Sequence, residues 1–172
     1  SASSITPEKL HEAAASLGVG TDYDAGFASN FGTVEPNNSP IDRAASMIGQ
    51  GQITMSPLAM ATVAASVASG ETTVPWLVEG EEASPDAEPL TEDEADALQE
   101  MMRAVVTEGT GKVLSGTMDG AKTGTAEFGK SGSQETHAWM IAWNDGYAVS
   151  AFLERGDSGS KDAAPLIQDL FS

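Results

Sequence analysis

The chain has 172 residues, of which 40% are hydrophobic, and its 8 basic and 26 acidic side chains give a formal net charge of -18. This size predicts one domain with a hydrophobic core. The acidity argues against nucleic acid or an anionic membrane surface as a partner, because the chain would repel phosphates. Cysteine is absent and the two histidines show no metal-ligand spacing with the carboxylates, so we expect no disulfide, no metal and no cofactor.

Two helices are predicted in the first half of the chain from their end signals. Thr6 as N-cap, Pro7 at the first helical position and Gly18 as the stop define one of them. Its apolar face consists of Leu10, Ala13, Ala14 and Leu17. The other helix runs from Ser56 to Gly70, and its Ala, Val and Met residues lie nearly all round it, which predicts a helix buried in the middle of a domain.

Two further helices are predicted in the second half. One opens at Thr91, which forms a capping box with Glu94, and the other follows Ser160 as N-cap. Apolar residues at helical spacing predict that one face of each packs on the core. These faces are Leu98, Met101, Met102, Val105 and Val106 in the first, and Ala163, Leu166, Ile167 and Leu170 in the second.

The remaining segments predict loops and strands. Residues 19–40, rich in Gly, Asn and Pro, indicate a long irregular segment, and the acidic residues 79–89 a surface linker. Residues 118–127, 137–144 and 147–155 have strand composition, and Asp145-Gly146 between the last two favours a hairpin because it tolerates positive φ. The fold class predicted is α+β, an antiparallel sheet flanked by helices.

Lys122 lies in the Gly-rich stretch "GAKTGTAEFGKSG" of residues 120–132. A phosphate-binding loop needs a Gly-Lys pair followed by a helix, but Ala121 precedes this lysine and strand-like residues follow it. A Schiff-base lysine usually has apolar surroundings, whereas Thr and Gly flank this one. A third option stays open, because Lys122-Thr123-Gly124 resembles a motif of serine acyl-transfer enzymes. In those enzymes the motif lies on a strand that lines the site, its ammonium attracts a substrate carboxylate and its glycine lets a peptide lie close.

Four stretches occur in an order and spacing that resemble the transpeptidase domain of monofunctional, class B-like penicillin-binding proteins. They are "GQGQITMSPLAMATVAASVASG" (49–70), "MMRAVVTEGTGKVL" (101–114), "GAKTGTAEF" (120–128) and "HAWMIAWN" (137–144). The resemblance implies the fold of penicillin-binding proteins and serine β-lactamases. It also implies an extracytoplasmic, membrane-anchored parent protein that cross-links peptidoglycan stem peptides through an acyl-enzyme, and that β-lactams acylate.

The resemblance also implies roles for individual residues. Lys122, Thr123 and Gly124 match the family's motif, and the family places one oxyanion-hole N–H at the position of Thr125. Lys122, Thr123, Gly124 and Thr125 are therefore the expected catalytic residues, and Lys122, Thr123 and Thr125 are also expected to bind substrate. Glu127, beside the motif, either lines the same cleft or is a plain surface residue, and the sequence favours neither.

The chain departs from the family's pattern in one respect. The nucleophilic Ser-x-x-Lys and the Ser-x-Asn motif that precede Lys-Thr-Gly in such enzymes do not occur in the first 120 residues. Ser158-Gly-Ser-Lys161 comes after the motif, where Ser160 is expected to cap a helix. We therefore expect residues 1–172 to be the C-terminal part of one transpeptidase domain, inactive without its N-terminal part and with any membrane anchor outside these residues.

Two other interpretations stay open. A β-lactam-hydrolysing enzyme or penicillin sensor would have the same fold, since the residues that position a deacylating water would lie in the missing part. A non-catalytic acidic binding module would carry Lys-Thr-Gly by accident. His137 opens an apolar strand and is expected to be structural, not a general base.

Overall fold

A computed structural model describes residues 5–20, 26–36, 39–76, 78–80, 87–130 and 133–172. Parts of the predicted irregular segment, of the acidic linker and of the loop after residue 129 lie outside these ranges. The chain divides into two compact units, Ser1–Thr91 and Glu92–Ser172. No helix within the described ranges is long and apolar enough to cross a bilayer.

The elements confirm the α+β class. The first unit contains α1 (Pro7–Ala15), α2 (Pro40–Ser46) and α3 (Pro57–Ser69). The second contains α4 (Glu92–Thr107), a 3-10 turn (Lys112–Leu114), β1 (Gly120–Lys130), β2 (Ser133–Trp143), β3 (Ala148–Leu153), a π-helical turn (Gly159–Ala163) and α5 (Ala164–Leu170).

Helix α1 begins as predicted. The Thr6 side chain accepts a hydrogen bond from the Lys9 N–H at 3.3 Å, and Pro7 is the first helical residue. The chain leaves the helix through Gly18, whose φ of +83° is the left-handed conformation that favours glycine. On the predicted apolar face, Leu10, Ala14 and Leu17 are half-buried but Ala13 is exposed.

Helix α2 was not predicted, although it carries a readable start signal. Ser39 is its N-cap, accepting from the Asp42 N–H at 3.5 Å, and Pro40 follows at the first helical position. The same Ser-Pro pair begins α3, where Ser56 accepts from the Ala59 N–H at 3.1 Å. The helix therefore begins within the last residues of the segment that was expected to be irregular.

Helix α3 was predicted to lie buried in the middle of a domain, and within these 172 residues it is buried on one side. Ala59, Thr62, Ala64, Ser66 and Val67 are buried, whereas Leu58 is 38% exposed. The buried side is fixed by polar contacts: Ser66 Oγ donates to the Leu17 carbonyl at 3.3 Å and accepts from the Thr73 N–H at 2.9 Å. Apolar composition does not distinguish this one-sided packing from full burial.

Helix α4 begins directly after Thr91, as predicted. Its buried residues, Ala95, Met102 and Val106, recur at intervals of seven and four and define a single stripe. Met101 is 59% exposed, which contradicts its assignment to the core. One residue rotates by about 100° around a helix, so Met101 and Met102 cannot share a narrow buried stripe.

The three strands form one antiparallel sheet in the order β1-β2-β3. Gly120 pairs with Trp143 and Lys130 with Ser133 between the first two strands, while Trp143 also pairs with Ala148 of β3. Strand β2 begins four residues before the predicted start at His137, because residues assigned to the preceding loop pair in the β1-β2 hairpin. β1 is therefore an edge strand of this sheet.

The turn from β2 to β3 lies where Asp145-Gly146 predicts it, but its physical basis differs. Neither residue has a positive φ. Instead Asn144 Oδ1 accepts from the Gly146 N–H at 3.1 Å and from the Tyr147 N–H at 3.0 Å. A side-chain cap thus replaces the backbone conformation that the dipeptide suggested.

One face of the sheet carries the core of the second unit. Met140, in the central strand, is fully buried at 0% exposure. The core cluster around it comprises Val106, Leu114, Met118, Ala121, Ala142, Ala163, Ala164 and Ile167. Because side chains alternate along a strand, the neighbours of Met140 and Ala142 in β2 point to the other face.

The end of the chain corrects two expectations. The cap is Ser158, which accepts from the Lys161 N–H at 3.4 Å and begins the π-helical turn, so Ser160 is not the N-cap. The predicted apolar face is also only half right, since Leu166 and Leu170 are 50% and 70% exposed. The buried stripe consists of Ala163, Ala164 and Ile167, with Phe171 packed against it; its small alanines allow closer packing than the leucines would.

Candidate functional site

The Lys-Thr-Gly motif lies near the start of edge strand β1. Lys122 pairs with Ile141, Thr123 with Met140 and Gly124 with Trp139 of the central strand. The opposite edge of β1 pairs with no other strand in the described ranges. An edge strand offers unpaired backbone N–H and C=O groups, which a peptide can use to add itself to the sheet.

Side chains from the motif flank this edge on both faces. By strand alternation, Lys122 shares a face with Gly120 and Gly124, and Thr123 and Thr125 share the other. Lys122 and Thr125 are exposed and Thr123 is half-buried. A ligand along the edge would therefore meet an ammonium from one face and hydroxyls from the other.

The Lys122 ammonium folds back on its own strand. Its Nζ donates to the Thr123 carbonyl at 2.5 Å. Neither of the ion pairs found among the described residues involves this lysine. Its charge is thus available to an anion, in a chain with only 8 basic side chains.

Glycine at position 124 allows close packing beneath the motif. A Cβ there would lie 3.3 Å from the Trp139 Cβ. Gly159, the first residue of the π-helical turn, lies against the same two strands. A Cβ at this position would lie 2.0 Å from the Trp139 carbonyl oxygen and 3.1 Å from the Gly124 carbonyl oxygen. The π-helical turn therefore packs directly on the backbone of the motif strand and its neighbour.

A second support lies just before the motif. The indole of Trp143 covers Gly120, where a Cβ would come within 2.6 Å of the ring, and Trp143 is only 5% exposed. The guanidinium of Arg103 in α4 lies 5.2 Å from the Trp143 ring centroid, a cation–π distance. Helix α4, β2 and the start of β1 are thus held together two residues before Lys122.

Thr110 contacts the motif from outside it. Its hydroxyl oxygen lies 3.1 Å from that of Thr123, within hydrogen-bonding distance. The contact was missed in the sequence because the two residues are 13 positions apart. The Gly-Thr-Gly of residues 109–111 is the signal that could have indicated a tight turn there.

Glu127 lies farther along β1. It is exposed, and Gln134 Nε2 donates to its carboxylate at 3.4 Å. Five residues of strand place it about 17 Å from Lys122, with its side chain on the opposite face. The structure therefore does not bring Glu127 and Lys122 together.

His137 has structural contacts, as expected. Its ring stacks on Phe128 with centroids 3.9 Å apart and planes 6° apart, and Phe152 lies 5.3 Å away. Its Nδ1 lies 2.7 Å from the Glu154 carbonyl oxygen. The imidazole thus packs within an aromatic cluster at the far end of the sheet from Gly120.

The Ser-x-x-Lys at Ser158 is a helix-capping motif. The Ser158 N–H donates to the Asp162 carboxylate at 2.9 Å, and its hydroxyl contacts Ser160 Oγ at 3.2 Å. Lys161 Nζ pairs with Asp157 at 3.5 Å. The lysine that an activated serine would need as its base is therefore engaged elsewhere.

Within the described ranges, no three His, Asp or Glu side chains are grouped so that they could hold a metal ion.

Comparison with known proteins gives a family and a fold. The family model of the penicillin-binding protein transpeptidase domain matches residues 1–172, whereas comparison with curated proteins gave no match. One similar solved structure is PBP2 of Pseudomonas aeruginosa in complex with WCK 5153, with a TM-score of 0.75 and 22% identity, covering 98% of this chain and 43% of that one. Another is penicillin-binding protein PBP2 of Helicobacter pylori in complex with MreC, with a TM-score of 0.76 and 24% identity, covering 97% of this chain and 35% of that one. The chain thus spans less than half the length of either protein.

Proposed function

Since the chain belongs to the family of penicillin-binding protein transpeptidase domains, we propose that it forms part of a peptidoglycan D,D-transpeptidase. The enzyme would transfer the acyl group of a stem peptide ending in D-Ala-D-Ala to an acceptor amine through a serine acyl-enzyme. β-Lactams would acylate the same serine as substrate mimics.

One observation carries this proposal: Lys122, Thr123 and Gly124 lie together on an edge strand with the ammonium exposed. A donor peptide that adds to this edge brings its terminal carboxylate to the Lys122 ammonium, and Gly124 lets its backbone approach. The N–H of Thr125, next along the strand, would then donate to the oxyanion that forms as the serine attacks the carbonyl carbon. Terminal D-alanine is the leaving group, and the acceptor amine later displaces the serine.

The nucleophile belongs, in this proposal, to the part of the protein that these 172 residues do not include. We call the longer chain the parent protein. Its activity requires both parts, because acyl transfer needs the nucleophile, its base, the oxyanion hole and the carboxylate anchor within a few ångströms. The parent protein would be extracytoplasmic and anchored to the cell membrane, where peptidoglycan is its substrate.

Covalent labelling tests the function. Parent protein incubated with a fluorescent penicillin should keep the label after denaturation and gain the mass of the whole drug, and excess unlabelled penicillin should prevent this. Absence of any adduct would refute penicillin binding and favour the acidic binding module.

Product analysis then separates the transpeptidase from its relatives. With a D-Ala-D-Ala peptide and an acceptor amine, the parent protein should release D-alanine and form the cross-linked product. Rapid turnover of penicillin to its hydrolysed acid, without cross-linking, would instead identify a β-lactamase.

A further inference from the structure

The turn between α4 and β1 presents a hydroxyl to Thr123 of the Lys-Thr-Gly motif. Thr110 Oγ1 lies 3.1 Å from Thr123 Oγ1. Thr123 is half-buried with its side chain on the core face of the sheet, beside fully buried Ala121. The contact therefore links the motif to a residue that the family motif does not contain.

The turn that holds Thr110 is tightly built. The Gly109 N–H donates to the Ala104 carbonyl at 2.9 Å, and the Gly111 N–H donates to the Val105 carbonyl at 2.9 Å. A Cβ at Gly109 would lie 2.9 Å from the Val105 Cα, and one at Gly111 would lie 3.1 Å from the Val105 Cγ1. A side chain at position 109 would thus collide with the end of α4, and one at position 111 would crowd Val105.

Buried residues fix the turn on both sides. Val106 precedes it and is 3% exposed, and Leu114 follows it and is fully buried. The Leu114 N–H donates to the Gly111 carbonyl at 2.9 Å, which closes the 3-10 turn. Thr110 is therefore an exposed side chain on a backbone that the core holds in place.

We propose that Thr110 is a positioning residue that orients the Thr123 hydroxyl toward the carboxylate of the bound peptide or β-lactam. This inference rests on the proposed transpeptidase function. A carboxylate only accepts hydrogen bonds, so Thr123 must direct its own hydrogen to the ligand. Thr110 then donates to the Thr123 oxygen, which holds its side-chain rotamer and polarises the outgoing hydrogen bond.

The test replaces Thr110 in the parent protein and follows acylation by fluorescent penicillin. Thr110→Val keeps the side-chain shape but removes the hydroxyl, and it should slow acylation about fivefold, as expected for one net hydrogen bond. Thr110→Ser should restore the rate. Thr107→Val is the matched control, because the Thr107 hydroxyl bonds only within α4, to the Arg103 carbonyl at 3.2 Å, and it should leave the rate unchanged.

A double mutant separates positioning from general support of the fold. If Thr110 acts through Thr123, the combined Thr110→Val and Thr123→Val change should slow acylation no more than Thr123→Val alone. The melting temperature of Thr110→Val should match that of Thr107→Val. Additive losses, or an unchanged rate in Thr110→Val while Thr123→Val is slow, would overturn the inference.

The experiment distinguishes a failure of the proposed function from a failure of the proposed role of Thr110. If the parent protein forms no penicillin adduct at all, the transpeptidase proposal fails and with it the role of Thr110. If the parent protein is labelled and Thr123→Val is slow, the function stands, and only the Thr110 variants decide the positioning role.

Discussion

Glycine at position 120 is required by the ring above it. The Trp143 indole lies where a side chain would project, with its nearest atoms 2.6 Å from the position of a Cβ. Trp143 cannot easily move aside, because it is 5% exposed and Arg103 stacks on it. A residue without a side chain thus lets the indole close over the start of the motif strand.

We predict that Gly120→Ala lowers the free energy of unfolding of the parent protein by about 2 kcal/mol, in the range of overpacking a core. Urea denaturation measures this change. Gly146→Ala is the matched control, since a Cβ there meets nothing within 4 Å, and it should change stability by less than about 0.5 kcal/mol. Equal stability of the two variants would contradict the packing described for Trp143.

At the scale of elements, the β2-β3 turn depends on one side chain. Asn144 Oδ1 accepts two backbone N–H groups, and its Nδ2 donates to the Thr117 carbonyl at 3.1 Å. The side chain thus ties the turn to the segment that leads into β1. Such a bond from an Asn side chain to the backbone two residues on is a common way to stabilise a turn.

We predict that Asn144→Ala lowers the free energy of unfolding by about 1.5 kcal/mol, because it leaves these backbone groups without their partner. Thermal unfolding of the parent protein is the measurement. Asp145→Ala, one position further along the same turn, is the comparison and should be nearly neutral. A stable Asn144→Ala protein would mean that the Asp-Gly dipeptide specifies the turn by itself.

Short sequence signals predicted where α1 and α3 begin. They did not predict which side of a helix is buried, because that depends on packing against other elements. Thr6-Pro7 and Ser56-Pro57 marked the starts of α1 and α3 because an N-cap acts within one turn of helix. Which side of α5 is buried depends on its packing against the sheet: Ala164 and Ile167 are buried, whereas Leu170 is exposed.

The candidate site was also predicted only in part: its motif was recognised in the sequence, but its contact with a distant residue was not. Lys122, Thr123 and Gly124 were predicted from a short motif, supported by the resemblance of four stretches of the sequence to a known family. The contact of Thr110 with Thr123 depends on how α4 ends and on where β1 passes it. No spacing rule connects residues across such a turn, so only the structure reveals it.

For the whole molecule, apolar exposure bears on independent folding. Several large apolar side chains are strongly exposed, notably Ile41 at 81%, Ile48 at 77% and Met101 at 59%. Covering such side chains with other protein would be favourable, since about 25 cal/mol is gained per Å² of apolar surface removed from water. The exposure of these side chains favours the proposal that residues 1–172 fold together with the remaining part of a transpeptidase domain.

We predict that residues 1–172 expressed alone unfold without a sharp transition and do not react with fluorescent penicillin. The parent protein should show a cooperative transition under the same conditions. Circular dichroism during urea denaturation and gel fluorescence supply the two readouts. A cooperative, monomeric fragment with a stable covalent adduct would contradict this account and point to a nucleophile within the chain, beginning with Ser158.

The proposed function rests on the claim that Lys122 anchors the substrate carboxylate, and the acylation rate of the Lys122→Ala parent protein measures that role. We predict that fluorescent penicillin acylates this variant about 100-fold more slowly than the unchanged protein, as for other losses of a charge-stabilising group in an active site. The melting temperature should hardly change, because an exposed lysine contributes little to folding. Lys112→Ala removes the same charge from the exposed 3-10 turn and should react at the normal rate. Equal rates in Lys122→Ala, Lys112→Ala and the unchanged protein would contradict the claim.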